Sequence, residues 1–90
     1  MNLNQLRYFV SVAENESFTK AAMSQYISQT AITQQIRALE ETVGAKLFDR
    51  NSRPVSLTPA GKVFLKEARE ILGRMDVALS RIREASTGLE

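Results

Sequence analysis

The sequence contains no cysteine and no histidine, and each absence narrows the chemistry. Without cysteine there is no disulfide framework and no thiolate metal site. Without histidine, metal binding or proton transfer would rest on carboxylates and lysines alone. No nucleophile–base pair, glycine-rich phosphate loop or metal-ligating cluster stands in the chain. Neither an enzyme nor a metal or cofactor is expected. Apolar runs are short, and none approaches the ~20 residues needed to span a bilayer, so no membrane partner is expected. The opening MNLNQLRYFV lacks the basic-then-apolar order of a secretory signal, which leaves the cytoplasm as the expected location. An excess of one charge sign is lacking too. The net charge is +2, with six basic and five acidic side chains in residues 1–58 and the same numbers in residues 59–90. Recognition of a polyanion would therefore come from local placement of charge, not from bulk basicity. There is no internal repeat, low-complexity segment or flexible linker.

What is present suits one small folded domain. The chain has 90 residues, 43% hydrophobic and 24% charged. A domain of that size buries a modest core and often relies on a partner chain. The stretch Ser17–Glu40, SFTKAAMSQYISQTAITQQIRALE, organises it. Ser17 can cap a short helix carrying Ala21 and Ala22, small residues that admit close approach of another helix. A polar break follows at Ser24–Tyr26. Ser28 then caps a second helix that runs to about Val43 and stops at Gly44. Ile32, Ile36, Leu39 and Val43 recur at helical spacing on one face. Thr30, Thr33, Gln34 and Arg37 fall on the opposite face, with no large apolar residue among them. Amides, hydroxyls and a guanidinium can pair with base edges and phosphates in a major groove. The pattern is a helix-turn-helix candidate. Other readings stay open for single residues: Thr19 and Lys20 at the first turn suit a phosphate or ordinary solvated capping, and Arg37 could pair with Glu41 at i+4.

Before this motif, Leu3, Leu6, Phe9, Val10 and Ala13 mark an amphipathic helix over residues 3–15. Asn2 is its cap, and Arg7, Ser11 and Glu14 lie on its solvent side. After the motif, Leu47–Phe48 and Val55–Ser56–Leu57 read as two short strands around the turn Asn51–Pro54. Lys46, Arg50 and Arg53 make this hairpin basic. It reads as a wing along a phosphate backbone, or else as a solvated hairpin tip. Thr58 caps the last helix and Pro59 takes its first position. That helix runs to about Ser86, ~40 Å at 1.5 Å per residue. Phe64, Ala68, Ile71, Met75, Ala78, Ile82, Ala85 and Leu89 form a seam of period 3.5, widened by Leu65, Leu72 and Leu79. The stripe outreaches a 55-residue head, so it meets another chain or a missing part of this one, most simply a two-fold mate. Gly73 marks a close crossing, a bend or nothing. Ser86–Gly88 reads as a frayed end, and Leu89–Glu90 is either native or a cloning scar.

Taken together, the chain resembles the N-terminal part of the LysR-type transcriptional regulators from about residue 3 to residue 85. The resemblance is carried by Leu6–Arg7–Tyr8–Phe9, Ser17–Phe18–Thr19–Lys20–Ala21–Ala22, Ser28–Gln29, Ile36–Arg37–Ala38–Leu39–Glu40, Gly44, Leu47–Phe48–Asp49–Arg50 and Leu57–Thr58–Pro59–Ala60–Gly61. It implies a mainly α fold, with a winged helix-turn-helix head over residues 1–58 and a long dimerisation helix over 59–90. The head would be three helices plus a short two-stranded β wing. It further implies an effector-binding domain of the periplasmic-binding-protein type that these residues do not contain. The partners it implies are double-stranded DNA with dyad symmetry and a second copy, with a tetramer for the full-length protein. Base reading would fall to Gln29, Thr30, Thr33, Gln34 and Arg37, and phosphate contacts to Thr19, Ser28, Arg50 and Arg53. Dimerisation would use Phe64, Ala68, Ile71, Leu72, Met75, Leu79 and Ile82.

Three positions depart from the family pattern. Gln25 replaces a usual apolar residue, leaving Tyr26 or Ile27 to fill under the turn. Thr30 stands where proline is frequent. Gln34 stands where a basic residue is frequent; glutamine favours adenine as a bidentate partner, and Arg37 favours guanine. A competing reading is a protein-interaction module whose head is only a scaffold; such a scaffold has no need of a basic hairpin.

Overall fold

A computed structural model gives the structure, and residues 1–88 are described. Four helices and one hairpin follow in the order α1 (Leu3–Asn15), α2 (Phe18–Ser24), α3 (Gln29–Val43), β1 (Phe48–Asp49), β2 (Ser56–Leu57) and α4 (Pro59–Ser86). Local chemistry sets most of these boundaries. Each helix begins at a side-chain cap: Asn2 Oδ1 accepts from Gln5 N at 2.8 Å, Ser17 Oγ from Lys20 N at 3.1 Å, Ser28 Oγ from Ala31 N at 3.0 Å and Thr58 Oγ1 from Gly61 N at 3.0 Å. Such caps satisfy backbone donors that have no intrahelical partner. α3 ends at Gly44, whose φ of 76° is the left-handed conformation that glycine adopts without a Cβ penalty.

The largest fully buried side chains are Phe9 and Val12 of α1, Ile32, Ile36 and Leu39 of α3, and Leu47. Burying each contributes roughly 1.5–3 kcal/mol. Phe9 meets Phe48 at 5.1 Å and Phe64 edge-on at 5.0 Å, and Phe48 meets Phe18 at 5.6 Å between ring centroids. α1 packs against α2, α3 and α4, and Gln5 Nε2 donates to Gln35 Oε1 at 3.0 Å across α1 and α3. With neighbours on three sides, α1 has a wider buried face than a simple amphipathic stripe. Ser11, expected in solvent, is buried, and Asn15 Nδ2 donates to its carbonyl and hydroxyl oxygens. Leu3, expected in the core, is partly exposed at the helix start.

The hairpin is shorter than the sequence suggests. β1 and β2 pair antiparallel with Phe48 opposite Leu57 and Asp49 opposite Ser56. Leu47 lies just before β1, where its N–H donates to the Glu40 carboxylate at 2.7 Å and its carbonyl accepts from Thr58 N at 3.1 Å. Under the helix-turn-helix turn, Ile27 packs against the core, whereas Tyr26 sits at φ 59° and is 94% exposed. The left-handed backbone turns the tyrosine outward, so Ile27 alone makes the contact.

α4 corrects the assignment of the seam. Ala68 is fully buried inside this chain and is not available to a dimer face, while the half-buried Phe64 packs on Phe9, so part of its surface is taken up by the head's own core. Leu65 and Leu72 also pack against that core. Residue 59 therefore marks where the last helix starts, while the core continues into its first half. The reason is geometric: the same stripe turns toward α1 first and runs past it afterwards. Beyond the head, Ile71, Leu79 and Ile82 are 45%, 40% and 63% exposed, and Met75 is half-buried. α4 passes through Gly73 unbroken, and a Cβ there would meet nothing within 4 Å. The seam position Leu89, and Glu90 beside it, lie outside the described residues.

Gly61 is where α4 touches the hairpin. A Cβ at this position would fall on the carbonyl oxygen of Leu47, which is backbone and cannot rotate away. Gly61→Ala is expected to destabilise the domain by about 1–3 kcal/mol through forced separation of helix and strand, against the slight gain alanine gives in an open helix. Urea unfolding followed by circular dichroism measures it; unchanged stability would contradict the close approach.

Candidate nucleic-acid interface

The outward side of α3 carries the residues singled out for base reading. Gln29, Thr30, Gln34 and Arg37 are exposed, Thr33 is half-buried, and the five line one shallow surface. Helical spacing puts them together because Ile32, Ile36 and Leu39 hold the opposite side in the core. Arg37 forms no ion pair among the described residues, so the alternative pairing with Glu41 is not adopted.

α2 and the wing close on this surface from one side. A cleft is lined by Ser17, Phe18 and Thr19 from the start of α2, by Gln29, Thr33 and Arg37 from α3, and by Arg50, Arg53, Pro54 and Val55 from the wing. Thr19 Oγ1 donates to Gln29 Oε1 at 3.0 Å, joining the first turns of α2 and α3. Ser28 is exposed beside them; its oxygen caps α3, which leaves its hydroxyl proton available to an acceptor.

The wing turn is tightened by its own side chains. Asp49 Oδ1 accepts from Asn51 N at 2.9 Å, and Ser52 Oγ donates to the Pro54 carbonyl at 2.9 Å. Arg53 is exposed at this tip, with Nη1 donating to the carbonyls of Arg50 at 2.6 Å and Ser52 at 3.0 Å. Arg50 behaves differently from its neighbour. Its guanidinium turns inward, where Nη1 donates to Glu40 Oε1 at 3.1 Å and the group lies over the Phe18 ring at 5.2 Å. Two basic residues three apart thus have opposite fates.

Phe18 and Glu40 were given no role at this site by the sequence, and Lys46 counted only as one of the basic groups around the hairpin. Lys46 is exposed and lines a second hollow between α3 and the wing with Arg37, Asn51, Ser56 and Thr58. Its position just before a basic hairpin was the available signal. Phe18 supplies the ring under Arg50. Glu40 ties the wing to α3, and its signal was a carboxylate one residue from Leu39 on the flank of the apolar face.

A family model described as a bacterial regulatory helix-turn-helix protein of the lysR family matches residues 3–62. The chain is 49% identical over 88 residues to the HTH-type transcriptional regulator TfdT of Cupriavidus pinatubonensis, a match that covers 98% of this chain and 39% of that protein. It is 47% identical to the HTH-type transcriptional regulator ClcR of Pseudomonas putida, covering 98% of this chain and 30% of that one. The chain thus spans well under half the length of these relatives. Among solved structures, the complex of the BenM DNA-binding domain with catB site 1 DNA superposes with a TM-score of 0.98 at 42% identity, covering 100% of this chain and 97% of that one. No described helix is long and apolar enough to cross a membrane. This chain belongs to the LysR family of bacterial helix-turn-helix transcriptional regulators, as their DNA-binding domain.

Proposed function

We propose that this domain reads a dyad-symmetric duplex by seating α3 in the major groove, as part of a regulator that acts in the cytoplasm and responds to a small effector through a further domain. One observation carries the reading: the polar strip of Gln29, Thr30, Thr33, Gln34 and Arg37 lies beside a wing tip bearing Arg53 and a helix start bearing Thr19. Base contacts fall to the five α3 residues. Phosphates are held by Thr19, Ser28 and Arg53, with Lys46 added to them. The wing tip follows the backbone into the neighbouring groove.

Two heads are joined through the second half of α4. Ile71, Met75, Leu79 and Ile82 continue the apolar stripe past the head's core, with Leu72 at the boundary still packed on it, on a molecule extending 52 × 26 × 20 Å. Nothing in the head reaches that far, and a second copy covers the stripe with the same stripe. Two copies then present their α3 helices one or two helical turns apart, ~34 Å per turn. The full-length protein pairs such dimers into tetramers.

Gln34→Ala is expected to cost ~1–3 kcal/mol on a selected site and little on random duplex. Arg53→Ala is expected to weaken both and reduce the salt slope by about one unit. Fluorescence anisotropy against salt measures the two together; equal losses on both duplexes for Gln34→Ala would count against base reading. Replacing both Leu79 and Ile82 with glutamate is expected to leave helical circular dichroism unchanged while shifting sedimentation equilibrium to the monomer. A variant as dimeric as the parent would remove α4 from the dimer contact.

A further inference from the structure

Glu40 is a carboxylate in the last turn of α3 with only 4% of its surface exposed. A buried carboxylate is costly unless its oxygens are engaged. Here both are. Oε2 accepts from Leu47 N at 2.7 Å and from Phe48 N at 3.4 Å, and Oε1 accepts from Arg50 Nη1 at 3.1 Å. One side chain therefore holds the hairpin at three points, before, within and just after β1. The Arg50 side chain is 28% exposed, and its Nε and Nη2 are shut away from solvent without a hydrogen-bond partner among the described residues. The guanidinium is held between a carboxylate and the face of Phe18.

The hairpin has strands of two residues each, too short to stiffen it by themselves. Its orientation against α3 must come from elsewhere, and the carboxylate supplies it. The Arg50 carbonyl also accepts from Arg53 Nη1, so a continuous line of polar contacts runs from α3 through Glu40 and Arg50 to the exposed arginine.

We propose that Glu40 and Arg50 are positioning residues of the DNA interface: they latch the wing to α3 and set where Arg53 meets the duplex, while Arg50 itself touches no phosphate. This rests on the DNA-binding reading above. It separates two arginines that sequence alone treats alike. Arg53 adds charge to the interface, and Arg50, neutralised inside the fold, adds only geometry.

The test uses the whole chain and two labelled probes of about 25 base pairs, long enough for two half-sites: a duplex recovered by in vitro selection with the parent chain, and a random duplex. Arg50→Met keeps the stem and removes the charge. It is expected to lower affinity for the selected duplex about tenfold, within the range of couplings between contacting residues, and to leave the salt slope at the parent value. Arg50→Lys should not restore the affinity, because an ammonium lacks the fork that spans Glu40 and Phe18. Glu40→Gln, which turns one acceptor into a donor facing the guanidinium, should match Arg50→Met. In an Arg53→Ala background each should cost less than about twofold, because both act through Arg53. Should Glu40→Gln fail to fold, the salt slope of Arg50→Met and the lysine variant decide alone. A slope reduced by about one unit in Arg50→Met, or full rescue by lysine, makes Arg50 a phosphate ligand and overturns the proposal. Losses that simply add in the Arg53→Ala background overturn it as well, since the pair would then be structural only. A parent chain that binds the two duplexes equally would instead defeat the base-reading proposal.

Discussion

Phe9 sits where four elements of the fold meet. Its ring is wholly buried and touches Phe48 of β1 and Phe64 of α4, and Phe48 in turn touches Phe18 of α2. The chain has four phenylalanines, and all four belong to this one line of rings. A domain this small cannot spread its apolar side chains over several cores. Concentrating them at one junction lets a few contacts fix α1, α2, the wing and α4 together. The outer face of α3 can then be polar throughout, because Ile32, Ile36 and Leu39 anchor the helix from the other side.

That division has an electrostatic counterpart. The apolar junction holds the elements together but does not orient a hairpin with two-residue strands. Orientation comes from the buried Glu40 carboxylate, whose partners are two backbone amides and a guanidinium. An ion pair in such a place is weak evidence for stability, since desolvation offsets much of the attraction. Its effect is directional: the carboxylate is satisfied only while the hairpin lies where Leu47 N, Phe48 N and Arg50 Nη1 all reach it. A surface that must match a duplex benefits more from being held in one shape than from a marginal gain in folding energy.

The sequence disclosed what local rules decide. Asn2, Ser17, Ser28 and Thr58 identified the helix starts, Gly44 a helix end, and the period of isoleucines the buried face of α3, because capping and periodicity involve residues within one turn of each other. It did not disclose what depends on distant partners. Phe64 and Ala68 fit a seam of period 3.5 as well as Ile71 or Ile82 do, yet Phe64 packs on Phe9 of α1 and Ala68 is buried within this chain. Periodicity says that a face is covered, not by which chain. Arg50 and Arg53 look equivalent as charges, and only the position of Glu40, ten residues upstream of Arg50, tells them apart. Ser11 lies in the interior for a similar reason: its helix has neighbours on three sides, which its own pattern does not reveal.

α4 joins these two kinds of information. It is a single helix of 28 residues with no break at the edge of the head. Its first half is part of the core through Gly61, Phe64 and Ala68, and its second half carries the free stripe on the same face. A flexible linker would let a head tumble relative to its dimer contact, and the two α3 helices would then have no fixed separation. A continuous helix held by the core at one end transmits the angle of the head to the other end. Gly73, the residue least suited to a helix interior, lies in the middle of that rod, yet the helix continues through it. On the dimer proposed above, half-site spacing is then set by covalent geometry and core packing, and the close contact of Gly61 with Leu47 bears on it by fixing the hairpin against the start of α4.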